Sequence, residues 1–230
     1  MEAIVLAGGF GTRLRGAVST VPKPMAPIND QPFLTYVFNF LRKHRFSRVV
    51  VATGYLHEVI QDYYGDRFGE LRIDYSVEEE PLGTGGALKQ SLQQVRSELV
   101  LVMNGDTFFD VDVSEMADLH RHYEADLTMA LKPMKRISRY GVVTVEHSRV
   151  VGFEEKQERK SGYINGGIYL MNRTVFDRFD LPQKFSLEAD FLKAHAGSLN
   201  IQAYLSDAYF IDIGVPEDYH RAQRELSRYE

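Results

Sequence analysis

The chain opens on a short apolar run, Ile4 to Ala7, that empties directly into Gly8, Gly9 and Gly11. Such a run reads as a buried strand. Glycines behind it let the backbone turn sharply and bring N–H groups close to a ligand, and successive N–H groups in a loop form an anion-binding concavity. Thr12 adds a hydroxyl donor. Arg13, and Lys23 within Pro22-Lys23-Pro24-Met25, add positive charge. Strand, glycine loop and two cations together make a site for a polyphosphate. The dinucleotide pattern G-x-G-x-x-G is excluded because its third glycine would fall on Leu14, and the P-loop is excluded because no Lys follows these glycines directly. A tight solvated turn would account for the glycines alone, but Arg13 and the P-K-P string make the pattern far more specific.

Beyond the loop, hydrophobic periodicity predicts alternating helices and strands. Helices are expected over Pro32–Arg42, His57–Tyr64, Thr84–Val95 and Ser114–Tyr123, and strands over Arg48–Thr53, Leu71–Val77, Leu99–Met103 and Leu127–Leu131. This alternation argues for an α/β fold with a Rossmann-like, mostly parallel sheet and helices on both faces. Ligands then bind at the carboxyl ends of the strands, where the glycine loop lies. The second half changes character. Gly141–Glu146 and Val150–Glu154, separated by His147-Ser148, read as a hairpin, and Tyr163–Met171 as another strand. Short helices are expected over Val175–Phe179 and Leu187–His195. Ile201–Leu205 and Tyr209–Ile213 are expected to be paired short strands, and a last helix runs from Pro216 to about Arg228. With no linker, repeat or low-complexity segment, residues 1–230 read as one domain, with the second half wrapped on the same sheet.

Composition narrows the function classes. The 230 residues are 44% apolar and 26% charged, ordinary for a soluble globular protein. A net charge of −5 argues against nucleic acid held on a basic face. There is no cysteine, which removes disulfides, a thiolate nucleophile and Cys-based zinc sites, and fits a cytoplasmic location. No signal peptide or membrane span is expected. No exposed apolar helix demands a dimer, although the composition is compatible with a homo-oligomer.

The string from Leu6 to Leu14 followed by P-K-P-M resembles the nucleotide-binding signature of the sugar-phosphate nucleotidyltransferases, L-A-G-G-x-G-T-R-L. The resemblance implies a glycosyltransferase-A-like nucleotidyltransferase fold, with a nucleotide-binding half over about 1–131 and a sugar-binding half over about 132–230. It further implies that Leu6, Ala7, Gly8, Gly9, Gly11, Thr12, Arg13 and Lys23 contact the nucleotide, together with Asn104 and Gly105. Glu78-Glu79-Glu80-Pro81-Leu82-Gly83-Thr84-Gly85-Gly86 looks like the family's base-recognition loop, which brings in Glu78, Glu80, Pro81, Gly83 and Thr84. Three acids before a helix also complement its dipole without any ligand. As a base reader, however, a carboxylate acceptor suits the N1 and N2 donors of guanine, with Glu78 the first choice and Glu80 the second.

Asp106, in Asn104-Gly105-Asp106, and Asp212, in Phe210-Ile211-Asp212-Ile213-Gly214, are by resemblance the ligands of one magnesium ion. An Asp within an apolar strand must be solvated, paired or metal-bound, and Mg²⁺ favours one or two carboxylates plus phosphate oxygens and waters. Phe153-Glu154-Glu155-Lys156 resembles the family's E-K pair, in which Glu155 would bind sugar hydroxyls and Lys156 the sugar's phosphate. Tyr140, Gly141, Asn165 and Gly166 would complete the sugar pocket, and Glu188 and Asp190 resemble acidic residues near it. The implied catalytic groups are Arg13, Lys23 and Lys156.

The expected reaction is attack by a sugar 1-phosphate on the α-phosphorus of an NTP, with release of pyrophosphate. Within the family, the E-E-E-P-L-G-T-G-G loop, the short chain and the ending F-I-D-I-G-V-P-E-D-Y look most like bacterial guanylyltransferases that take GTP and D-glycero-α-D-manno-heptose 1-phosphate to make GDP-heptose for surface polysaccharide. Enzymes acting on mannose 1-phosphate with GTP, or on N-acetylmuramic acid 1-phosphate with UTP, are the alternatives. A non-catalytic sugar-nucleotide sensor is a further alternative, but it would be expected to lose Arg13, Lys23 or a metal aspartate, and all are present.

Overall fold

A computed structural model describes residues 1–9, 21–154 and 158–229. In chain order the elements are β1 (Glu2–Leu6), β2 (Pro27–Ile28), β3 (Gln31–Pro32), α1 (Phe33–Lys43), β4 (Arg48–Thr53), α2 (His57–Tyr64), β5 (Arg67–Phe68), β6 (Leu71–Val77), α3 (Gly83–Leu92), β7 (Leu99–Asn104), β8 (Thr107–Phe109) and α4 (Val113–His122). There follow β9 (Leu127–Ile137), β10 (Val142–Glu146), β11 (Arg149–Glu154), β12 (Arg159–Asn172), α5 (Lys193–His195), β13 (Ile201–Leu205), β14 (Phe210–Asp212) and α6 (Pro216–Glu225).

Among the described residues, ten strands form one sheet in the order β10-β11-β13-β9-β12-β7-β1-β4-β6-β5. The nearly unbroken apolar runs of β1, β4 and β7 are explained by burial on both faces. Ala3, Val5, Val49, Val51, Leu101 and Met103 face one core, which is covered by α1, α2 and α6. Ile4, Val50, Val100 and Val102 face the other, where Leu88 and Leu92 of α3 and Leu187, Phe191 and Leu192 pack. Helix ends follow local chemistry. Asp112 caps α4 by accepting from the backbone N–H groups of Ser114 and Glu115 at 2.8 and 3.1 Å, and Arg42 and Lys43 close α1 at its negative end.

The expectation of a mostly parallel sheet holds for β7-β1-β4-β6, whose pairings are all parallel. The sheet as a whole is mixed. β12 lies antiparallel between β7 and β9, and β10 and β11 form the expected antiparallel hairpin, turning through His147 and Ser148 at φ 49° and 66°. Tight turns of this kind reverse the chain without a helical crossover; β11 and β12 run against β7, whereas β9, β10 and β13 run with it.

Other expectations shift as well. β13 and β14 do not pair with each other. β13 lies parallel to β9, and β14 pairs antiparallel with β8 in a separate two-stranded sheet. Val175–Phe179 is a run of turns instead of a helix. There Phe176 and Phe179 pack edge-on against Phe191. The helix expected from Leu187 begins as a wide π-helical segment, Leu187–Leu192, before α5. β9 runs on through Pro133, a residue that argues against a strand interior, and pairs there with Tyr163 of β12.

Gly83 opens α3 at φ +73°, and a Cβ there would stand 2.6 Å from the Phe185 carbonyl oxygen. Left-handed backbone alone costs a side-chain-bearing residue roughly 1–2 kcal/mol. Gly83→Ala is therefore expected to lower stability by at least about 1–2 kcal/mol, read as a lower urea midpoint with an unchanged slope.

Candidate active site

The carboxyl ends of β1, β4, β6 and β7 surround a cavity of about 350 Å³. Its wall contains Leu6, Ala7, Gly8, Gly9, Lys23, Glu78, Pro81, Gly83, Thr84, Asn104 and Asp106, residues singled out in the sequence, together with Pro24, Ala52 and Ala87. Ala52 and Ala87 were missed. Their signal was only small size, at the end of β4 and in the first turns of α3.

Glu78 follows β6 directly. Its Oε2 accepts the Leu82 backbone N–H at 2.9 Å, while its Oε1 lies against Gly8, where a Cβ would collide with it. A side chain at position 8 would therefore displace the Glu78 carboxylate from its present place. Burial pushes the Glu78 carboxyl above its usual range, partly offset by the Leu82 N–H. The turn closed by that hydrogen bond leaves Glu79 and Glu80 exposed, and Glu80 is not part of the cavity wall. Gly105 lies behind the wall: its N–H donates to the Leu6 carbonyl at 2.8 Å, and a Cβ would come within 2.9 Å of that oxygen.

β7 ends in the turn that carries Asp106, and pairing of β8 with β14 sets Asp212 opposite Thr107. The backbone N–H of Ile213 donates to the Asp106 carbonyl at 3.1 Å. Lys23 Nζ donates to Asp106 Oδ2 at 2.9 Å, and Asp212 Oδ1 accepts the Gly214 N–H at 2.7 Å. Burial and then the Asp106 charge push the Asp212 carboxyl up to about 6, against the pull of the Gly214 N–H and Lys23. Among the described residues no group of three or more His, Cys, Asp or Glu side chains converges on one point. The aspartate pair, its repulsion only partly offset by Lys23 and the Gly214 N–H, suits a cation that takes two carboxylates and fills its remaining positions with phosphate oxygens and water.

Tyr140, Gly141, Asn165 and Gly166, the described residues expected on the sugar side, are not part of this cavity's wall. The Tyr140 ring meets Phe210 edge-on at 6.1 Å, and burial followed by the Asp212 charge pushes its hydroxyl up to about 12. Gly141 approaches the Glu154 carbonyl, which a Cβ would reach at 2.9 Å. Asn165 donates through Nδ2 to the Tyr169 hydroxyl at 2.6 Å and accepts the Gly167 N–H at 2.9 Å. Gly166 is buried against the Phe109 ring, so its missing side chain serves packing. Gly11, Thr12, Arg13, Glu155 and Lys156 lie outside the described residues. No helix among the described residues is long and apolar enough to cross a membrane.

Residues 2–228 match the sequence profile of the family described as Nucleotidyl transferase. The chain belongs to the nucleotidyl transferase family. This transferase is 50% identical over 229 residues to D-glycero-alpha-D-manno-heptose 1-phosphate guanylyltransferase of Aneurinibacillus thermoaerophilus, covering 100% of both chains. It is 49% identical to the protein of the same name in Campylobacter jejuni, over 96% of this chain and 97% of the relative. Among solved structures, HddC from Yersinia pseudotuberculosis superimposes with a TM-score of 0.89 at 32% identity, covering 98% of this chain and 99% of that one. The complex of HddC with GMP-PN gives 0.88 at 31% identity, with the same coverage. These full-length likenesses establish an α/β nucleotidyltransferase fold.

In the metal-free transferase, the raised Asp212 carboxyl binds a proton in the folded chain that the unfolded chain has already lost. Folding stability should therefore fall as pH rises from about 4 to about 6. Asp212→Asn should remove that slope, read as the difference between wild-type and variant urea-unfolding free energies across this range in the presence of chelator. Equal slopes would show that the carboxyl is not strained.

Proposed function

We propose that this chain transfers GMP from GTP to D-glycero-α-D-manno-heptose 1-phosphate, forming GDP-heptose and pyrophosphate. The observation that carries the reading is the 50% identity over the full length of a relative bearing that activity as its name. The geometry supports it: a carboxylate, a lysine and an aspartate pair converge at the carboxyl ends of parallel strands.

In this reading an oxygen of the sugar phosphate attacks the α-phosphorus of GTP in line with the departing group. A new P–O bond forms, the bond between the α-phosphorus and the bridging oxygen breaks, and pyrophosphate leaves with that electron pair. A phosphate monoester is already anionic at pH 7, so no general base is needed. The obstacle is the approach of like charges, and catalysis consists of positioning plus electrostatic stabilisation. Lys23 stabilises charge at the α-phosphate, Arg13 holds the pyrophosphate, and Lys156 anchors the incoming phosphate beside Glu155, which binds sugar hydroxyls. Asp106 and Asp212 hold Mg²⁺, which when bound neutralises phosphate charge and orients the phosphates. Tyr140, Gly141 and Asn165 border the sugar. Glu78 Oε1, free of the Leu82 hydrogen bond, accepts from the guanine N1 and N2 donors. Residues up to about 131 form the nucleotide side and the remainder the sugar side.

Pyrophosphate release measured across four NTPs and several sugar 1-phosphates with Mg²⁺ should be strongest with GTP and the heptose 1-phosphate. Preference for mannose 1-phosphate, or for UTP with an amino-sugar phosphate, would keep the chemistry and overturn this substrate. Lys23→Ala should lower turnover by about 10²-fold or more, the scale of a lost oxyanion donor. Wild-type-like turnover in that variant would remove Lys23 from the reaction.

A further inference from the structure

A line of hydrogen bonds runs from Thr84, on the cavity wall, to Gly167, which packs against Asn104. The Thr84 hydroxyl donates to Glu188 Oε2 at 3.0 Å. Glu188 Oε1 accepts from the Tyr169 hydroxyl at 3.0 Å, and that hydroxyl accepts from Asn165 Nδ2 at 2.6 Å. Asn165 Oδ1 then accepts the Gly167 N–H at 2.9 Å. Gly167, at φ +71°, packs so tightly that a Cβ would stand 2.9 Å from Asn104 Nδ2. Thr84 and Asn104 both line the cavity.

Tyr169 is fully buried within the core of β12, where leucine or phenylalanine would pack without a polar group to satisfy. A buried hydroxyl that both donates and accepts at good distances is favourable only while both partners stay in place. The line therefore ties the position of α3, which carries Thr84, to the β12 bulge between Asn165 and Tyr169. We propose that Glu188 and Tyr169 are positioning residues that couple Thr84 on the nucleotide side to Asn165 on the sugar side, so that occupation of either side sets the geometry of the other. This rests on the assignment of the two sides given above. Because coupling of affinities is reciprocal, each substrate must tighten the other by the same factor.

The test measures binding of a GTP analogue blocked between its α- and β-phosphates to the full-length chain with Mg²⁺, by calorimetry, with and without saturating heptose 1-phosphate. In the wild type the sugar phosphate should tighten the analogue by about 5-fold or more, the lower end of ordinary coupling. In Tyr169→Phe, which keeps the ring and removes only the hydroxyl, the factor should fall to within about 2-fold of unity, while affinity for the analogue alone stays within about 3-fold of wild type. Glu188→Gln and Thr84→Val break the line at its middle and at its exposed end and should also lower the factor. A wild-type factor near unity, or an undiminished factor in Tyr169→Phe, would overturn the proposal. So would collapse of the fold in all three variants, which would make the line purely structural. If the wild type releases no pyrophosphate from this pair, the substrate assignment fails instead, and the coupling factor is read on whichever pair the wild type turns over.

Discussion

Everything in the cleft depends on a repulsion that the fold holds in place. β8 and β14 pair over only a few residues, yet the pairing is locked by the edge-on contact of Phe109 with Phe210 at 5.5 Å and by the Ile213 N–H on the Asp106 carbonyl. Asp106 and Asp212 cannot separate without breaking that pairing. Lys23 offsets part of the repulsion, and the Gly214 N–H offsets another part. What is left raises the affinity of Asp212 for a proton, and the same field favours any other cation. The Pro22-Lys23-Pro24 segment is constrained to match. Met25 donates its N–H back to Pro22, and Pro24 packs against the turn at Gly105, so the lysine approaches the aspartates from a stiff support.

Much of the architecture was legible because burial on both faces leaves a simple trace. Val49, Val50 and Val51 alternate between the two cores, and a run of that kind between helical patterns has few other readings. The His147-Ser148 turn was legible from its flanking alternation. The strand extensions through Pro133 and Arg159 were not, because half-exposed arms carry mixed residues and no period. The partner of β14 was not legible either. Strand pairing across a cleft depends on what the rest of the sheet leaves open, and sequence proximity to β13 pointed the wrong way.

The site was legible in its residues more than in their reasons. Gly8 reads as a place for close ligand approach, yet the Glu78 carboxylate already lies against it. Gly85 and Gly86 read as part of a base-recognition loop. Their N–H groups instead bond the Phe185 carbonyl at 3.0 and 3.3 Å, and a Cβ on Gly85 would strike the Phe185 ring. Glu188 was noted only as an acid near the sugar side, and its convergent contacts with the Thr84 and Tyr169 hydroxyls come from residues distant in sequence. A motif records that a glycine is needed without recording what needs it.

The antiparallel strand at the centre of the sheet also bears on how the chain is made. β12 is inserted between β7 and β9, both of which precede it in the sequence. A ribosome that has released only the first 137 residues has released β7 with one edge unpaired and β9 with neither edge paired. Unpaired edges of this kind invite pairing with other chains, and non-local closure is slow. Residues 159–172 cover β7 and one edge of β9, and the other edge waits for β13, so the nascent chain carries unpaired edges for longer than a chain whose sheet grows outward strand by strand.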